Sequence, residues 1–97
     1  MVWPMIQGFA CAETERVFRA ELARRLPPTS QRTARRKLLL LNAATELSQL
    51  RVPPGNRLEA LKGDRKGQHS IRVNDQWRIC FRWNAGQAHD VEITDYH

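Results

Sequence analysis

The sequence predicts an α+β fold, with two N-terminal antiparallel helices packed on a mainly antiparallel sheet of four to five strands. Up to about Leu47 the apolar residues recur at helical spacing, whereas beyond Pro53-Pro54-Gly55-Asn56 the period changes to two. Alternation is clearest from Trp77 to Trp83. There Trp77, Ile79, Phe81 and Trp83 share one face and Arg78, Cys80 and Arg82 the other. The 97 residues suit one domain, 1–97, built on one core.

Met5 to Phe9, behind Pro4, reads as a short first strand that Gly8 weakens. A helix follows from about Glu13 to Leu26. Val17, Phe18, Leu22 and Leu26 form its apolar face, and Glu13, Glu15, Arg16, Arg19, Glu21, Arg24 and Arg25 occupy the others. Early acids and late arginines complement the helix dipole. Pro27-Pro28 stops this helix, and Thr29 or Ser30 caps a second one that reaches Ala44 or Leu47. Its buried stripe is Ala34, Leu38, Leu41 and Thr45, with Arg32, Arg35, Arg36 and Lys37 mostly outside it.

Arg57 to Leu61 opens the sheet. His69, Ile71 and Val73 alternate with Ser70 and Arg72, and Asn74-Asp75 supplies the turn of a hairpin whose second strand is Trp77 to Trp83. Asn84-Ala85-Gly86 turns into a last strand with Val91 and Ile93 inward.

Sixteen Lys and Arg against 10 Asp and Glu give a net charge of +6 and a pI near 10.4. That balance favours a polyanionic partner such as RNA, DNA or an acidic protein. Cys11 and Cys80 belong to no CxxC pair, so neither a disulfide framework nor a zinc site is expected. The best apolar run, Leu38 to Leu41, covers about one helical turn. No membrane span is expected, and without a signal-peptide pattern at the start a cytoplasmic location is.

The chemistry concentrates late in the chain. Asp95, Tyr96 and His97 bring a carboxylate, a phenol and an imidazole together directly after a strand. Lys62, Arg65 and Lys66 lie on a turn punctuated by Gly63 and Gly67, and Arg78 follows on a strand face opposite the aromatic side chains. Such a set can bind an anion and move protons. RNA carries its own nucleophile, the 2′-OH, so its cleavage requires only a general base, a general acid and cations for the phosphate. Imidazole, with an unperturbed pKa of about 6.5, suits either proton-transfer role, and the nearby Asp95 and terminal carboxylate favour its charged, acidic form. Asp90, Glu92, Asp95 and His97 show no recurrent ligand spacing, so no metal site is expected.

The order Leu58-Glu59-Ala60-Leu61-Lys62-Gly63-Asp64-Arg65-Lys66-Gly67, then Trp77-Arg78-Ile79, then Asp95-Tyr96-His97 resembles the HigB-type toxins of the RelE superfamily. The resemblance is close over the second half and agrees in helix layout over the first. It implies a RelE-like fold and a bacterial type II toxin that enters the A site of the 70S ribosome and cleaves mRNA there, without a cofactor. It also implies a helix-turn-helix antitoxin as partner, through which alone operator DNA would be engaged. By position, Lys62 and Arg78 would meet phosphate, and Asp95, Tyr96 and His97 would form the catalytic end.

One departure stands out. Family members commonly read Leu-His-Pro-Leu-Lys-Gly where this chain has Glu59-Ala60, so a carboxylate, able to act as a general base, stands in place of a catalytic histidine. Within the same fold the alternative is a ParE-like toxin that binds and inhibits a protein such as gyrase.

Overall fold

The two consecutive prolines that end one helical pattern begin the next. Pro27 is the N-cap and Pro28 the first helical residue of α2 (Pro28–Ala43). A proline there sacrifices no helical hydrogen bond, since the first N–H groups have no intrahelical acceptor. The expected cap by Thr29 or Ser30 is therefore absent, and both residues lie inside the helix. Ser30, Ala34, Leu38 and Leu41 form the buried stripe, while Thr45 falls beyond the helix end and is exposed.

The computed structural model describes residues 6–95. Within them the first helix is shorter than its pattern implies. α1 (Ala12–Phe18) ends where Ala20 takes a left-handed backbone, φ 61°. Ala20 N–H donates to the Val17 carbonyl and Glu21 N–H to the Arg16 carbonyl, at 3.1 and 2.7 Å. This pair of bonds is the Schellman closure.

Residues 23–26 are then held by two side chains that take the place of a helical ladder. Glu13 Oε1 accepts the N–H groups of Arg24 and Arg25. Gln31 donates to the carbonyls of Ala23 and Leu26 at 2.8 and 2.6 Å. Ala23 and Leu26 still reach the core, but Leu22 points into water. The pattern looks helical because Val17 is buried and Phe18 partly buried on α1, and the irregular path beyond it buries Leu26 at a spacing that continues theirs.

The sheet runs in the order β1 (Glu59–Ala60), β2 (His69–Arg72), β3 (Trp77–Asn84), β4 (Gln87–Asp95), antiparallel throughout. The expected strand from Arg57 to Leu61 contracts to two residues. A 3-10 turn, Pro54–Asn56, leads into it and leaves Arg57 left-handed, φ 45°. Asn74 Oδ1 accepts the N–H groups of Gln76 and Trp77, which closes the β2–β3 hairpin. Ala85 and Gly86, both with positive φ, form the two-residue turn between β3 and β4.

A bulge between Cys80 and Arg82, with Asp90 at φ 52°, adds a residue to β4 and bends it. Beside β4 the anticipated first strand reduces to two parallel bridges, Ile6 to Ala88 and Phe9 to Val91. Met5 lies outside the described residues.

The helices cover one sheet face. Leu38, Leu41, Leu50, Ile71, Ile79, Phe81 and Val91 are fully buried between the layers. Thr14 fixes α1 on the sheet, its Oγ1 accepting Ile93 N–H at 2.9 Å. No helix of the described residues is long and apolar enough to cross a membrane.

Because Gln31 alone bonds both Ala23 and Leu26 carbonyls, Gln31→Ala is expected to raise amide exchange of residues 19–27 well above that of α2. The global loss in urea unfolding should be about 1–3 kcal/mol.

Candidate functional site

On the sheet face turned away from the helices, Arg78 rises from the central strand with its side chain only 8% exposed. A guanidinium withdrawn from water must find acceptors or cost the fold several kcal/mol, roughly. Nε donates to Ser70 Oγ and one terminal nitrogen to the Arg57 carbonyl, each at 2.8 Å. The same nitrogen lies 3.4 Å from a carboxylate oxygen of Glu59.

Each acceptor has a local cause. Ser70 pairs with Cys80 across β2 and β3, so alternation sets it on the Arg78 face, and it is fully buried. The left-handed backbone of Arg57 turns its carbonyl inward. Glu59 pairs with Ser70 across β1 and β2, which puts it on the same face. Its carboxylate is half exposed, so it is at once held from below and open to solvent.

Asn56, fully buried just before Arg57, secures this corner. Its amide nitrogen donates to the carbonyls of Leu50 and Val52 at 3.1 and 3.2 Å, and its oxygen accepts from Lys37 Nζ on α2. Burial, with Arg36 and Arg72 nearby, lowers the Lys37 pKa below the ordinary lysine value.

The glycine-punctuated segment lies over the other half of this face. Gly63–Arg65 is a 3-10 turn, and Gly63 and Gly67 both take positive φ. From it Arg65 reaches to Glu92 on β4 at 3.3 Å while also bonding Gln68. Cys80 is thereby buried. Loss of solvent raises its thiol pKa, with Arg65 pulling the other way. Lys62 and Lys66 remain exposed. Arg82, half exposed, stands 3.5 Å from Asp90.

Of the residues the sequence singles out, the structure brings Glu59 and Arg78 into contact. It sets Lys62 and Lys66 on the neighbouring exposed turn and engages Arg65 with Glu92. Asp95 is elsewhere. It pairs with Trp77, which puts it on the other sheet face, while Thr94 is the residue opposite Arg78. Its carboxylate accepts from Gln76 Nε2 at 3.1 Å. Tyr96 and His97 lie outside the described residues. His69 sits on the helix side, its ring stacked 6.2 Å from Phe81.

The sequence alone does not place Ser70 or the Arg57 carbonyl in this site, and it singles out Glu92 only as a possible metal ligand. Ser70 and Glu92 could have been found by carrying the alternation of the Trp77 strand to its neighbours. The carbonyl of a left-handed arginine leaves no such trace. Among the described residues no three His, Cys, Asp or Glu side chains converge as metal ligands would.

Residues 7–97 match the family described as RelE-like toxin of type II toxin-antitoxin system HigB. Toxin HigB-1 of Vibrio cholerae is 48% identical over 75 residues, 76% of this chain and 79% of that protein. Endoribonuclease HigB of Proteus vulgaris is 31% identical over 93 residues, 96% of this chain and the whole of that protein. An uncharacterized protein of Haemophilus influenzae is 30% identical over 72 residues, 74% and 71% of the two chains.

Ser70→Ala removes the acceptor of a buried charged donor. It is expected to lower the free energy of unfolding in urea by about 1–3 kcal/mol, with Ser70→Thr nearer wild type.

Proposed function

The chain belongs to the RelE-like HigB toxins of type II toxin–antitoxin systems, and we propose that it acts in the cytoplasm as a metal-independent endoribonuclease cleaving mRNA in the ribosomal A site. Family membership gives it a cognate antitoxin as partner. That antitoxin would be a helix-turn-helix protein, and operator DNA would be met only through it. The observation that carries the catalytic reading is the Glu59 carboxylate, half exposed and held over a buried guanidinium beside a turn with two exposed lysines.

In this mechanism Glu59 accepts the proton of the 2′-OH. The 2′-oxygen bonds to phosphorus as the bond to the 5′-oxygen breaks, giving a 2′,3′-cyclic phosphate. His97 supplies the proton that the departing 5′-oxygen takes, completing the transfer. Lys62 and Lys66 face the gathering negative charge on the phosphate. Arg65 supports the turn that carries them through its pairing with Glu92.

Arg78 contributes to charge stabilisation through the dyad with Glu59, whose orientation it sets. Tyr96 offers a phenol for hydrogen bonding or stacking, and Asp95 a carboxylate beside His97 in sequence. The alternative of a gyrase-directed inhibitor is not favoured, because the named relatives are HigB toxins and one is an endoribonuclease by name.

The test maps new mRNA 5′ ends in a purified translation reaction, with and without ribosomes. Glu59→Gln and His97→Ala are each expected to slow cleavage by about 100-fold or more while ribosome association persists. Cleavage at the wild-type rate by Glu59→Gln would remove the carboxylate as base. A folded, growth-inhibiting wild type that produces no cuts would sink the nuclease reading as a whole.

A further inference from the structure

Leu22, 81% exposed, is the most exposed large apolar side chain among the described residues. It is not the tip of a slack loop. The helix-closing bonds of Ala20 and Glu21 fix the backbone just before it, and Glu13 and Gln31 fix residues 23–26 just after it, so an apolar side chain is kept in water by bonds that set its position. A groove flanks it on each side. Val17, Ala20, Gln31 and Arg32 line one, and Ala23, Arg24, Leu26 and Pro28 line the other.

The charge around this ridge is positive on balance, although Glu21, which lines the first groove, forms no ion pair among the described residues. Glu15 pairs with Arg19 at 2.7 Å, and Glu13 lies 4.0 Å from Arg25. Arg24 and Arg32, one beside each groove, form no ion pair among the described residues, and Arg36 lies exposed further along α2. An apolar anchor between unpaired guanidinium groups fits a partner segment with an apolar face bordered by carboxylates.

RNA is the poorer fit. No aromatic side chain lines either groove to stack on a base, and a phosphate chain gains nothing from an exposed leucine. The ridge also lies in the helix layer, across the sheet from Glu59 and Arg78.

We propose that Leu22, with Arg24 and Arg32 on either side, is the docking ridge for an acidic amphipathic segment of the cognate antitoxin. Leu22 seats in the apolar face of that segment, and the two arginines meet its flanking carboxylates. The proposal rests on family membership and on this surface, not on the nuclease mechanism.

Binding of the purified cognate antitoxin to the full chain tests it, by titration calorimetry at two salt concentrations. Leu22→Glu is expected to weaken binding about 30-fold or more. Val52→Glu, which adds the same charge at an exposed apolar site remote from the ridge, should stay within about threefold. The pair R24E/R32E should also weaken binding and flatten its salt dependence. Melting curves check that each variant is folded, which the exposure of all three side chains favours.

Wild-type affinity in both Leu22→Glu and R24E/R32E overturns the proposal. So does loss of ribosome association in these variants with antitoxin binding intact, which would assign the surface to RNA. Failure of the nuclease reading would leave every one of these outcomes readable, because each is a binding measurement.

Discussion

A guanidinium buried on what would otherwise be the open face of the sheet constrains everything around it. Arg78 is committed to the outer face of β3, near its start, by alternation with Trp77 and Ile79, which the core requires. Once there it must be satisfied. Ser70 supplies one acceptor from β2, Glu59 another from β1, and the chain between α2 and the sheet must bring a carbonyl over it. The brevity of β1, the left-handed Arg57 and the fully buried Asn56 all follow as ways of closing the structure over that charge. Glu59, half exposed, stands between that guanidinium and solvent.

The same logic of a charge spanning neighbouring strands recurs with Arg65 and Glu92. Here the pair is about one-third exposed at each partner, so its contribution lies in placement more than in energy. It lays the glycine-punctuated turn across the sheet, covers Cys80, and leaves Lys62 and Lys66 in solvent. Two lysines of a short turn could otherwise sample many positions. Anchored through Arg65, they stay near one edge of the face that carries Glu59.

The sheet was legible because burial on one face imposes a strict period of two, and turn residues at Asn74 and Gly86 punctuate it. The second helix was legible for the corresponding helical reason, its buried stripe being Ala34, Leu38 and Leu41. The end of α1 was not. Its termination depends on Ala20 adopting a conformation that glycine normally supplies, and on Glu13 and Gln31 capturing backbone groups up to twelve residues away. Side-chain bonds to distant backbone carry no periodicity, so Leu22 was assigned to a buried face when it is the most exposed of the described large apolar residues. In the site, residue types and faces could be read for Glu59 and Arg78. Their contact could not, because it depends on which short segment becomes β1 and in what register.

The geometry also bears on why a carboxylate can occupy a position where similar toxins commonly carry histidine. Over a buried arginine, a protonated imidazole would set one cation against another. A neutral imidazole could accept a hydrogen bond but would bring no counter-charge of its own. Glu59 supplies both the acceptor and the counter-charge at 3.4 Å. What it cannot supply, when ionised, is a positive charge for a phosphate. That demand falls on neighbouring cations, and Arg78 is already withdrawn from solvent while Arg65 is engaged with Glu92. In the proposed mechanism Lys62 and Lys66, exposed on the turn that Arg65 anchors, meet it. In that mechanism a carboxylate at position 59 separates proton acceptance from anion binding, which falls to the lysine turn.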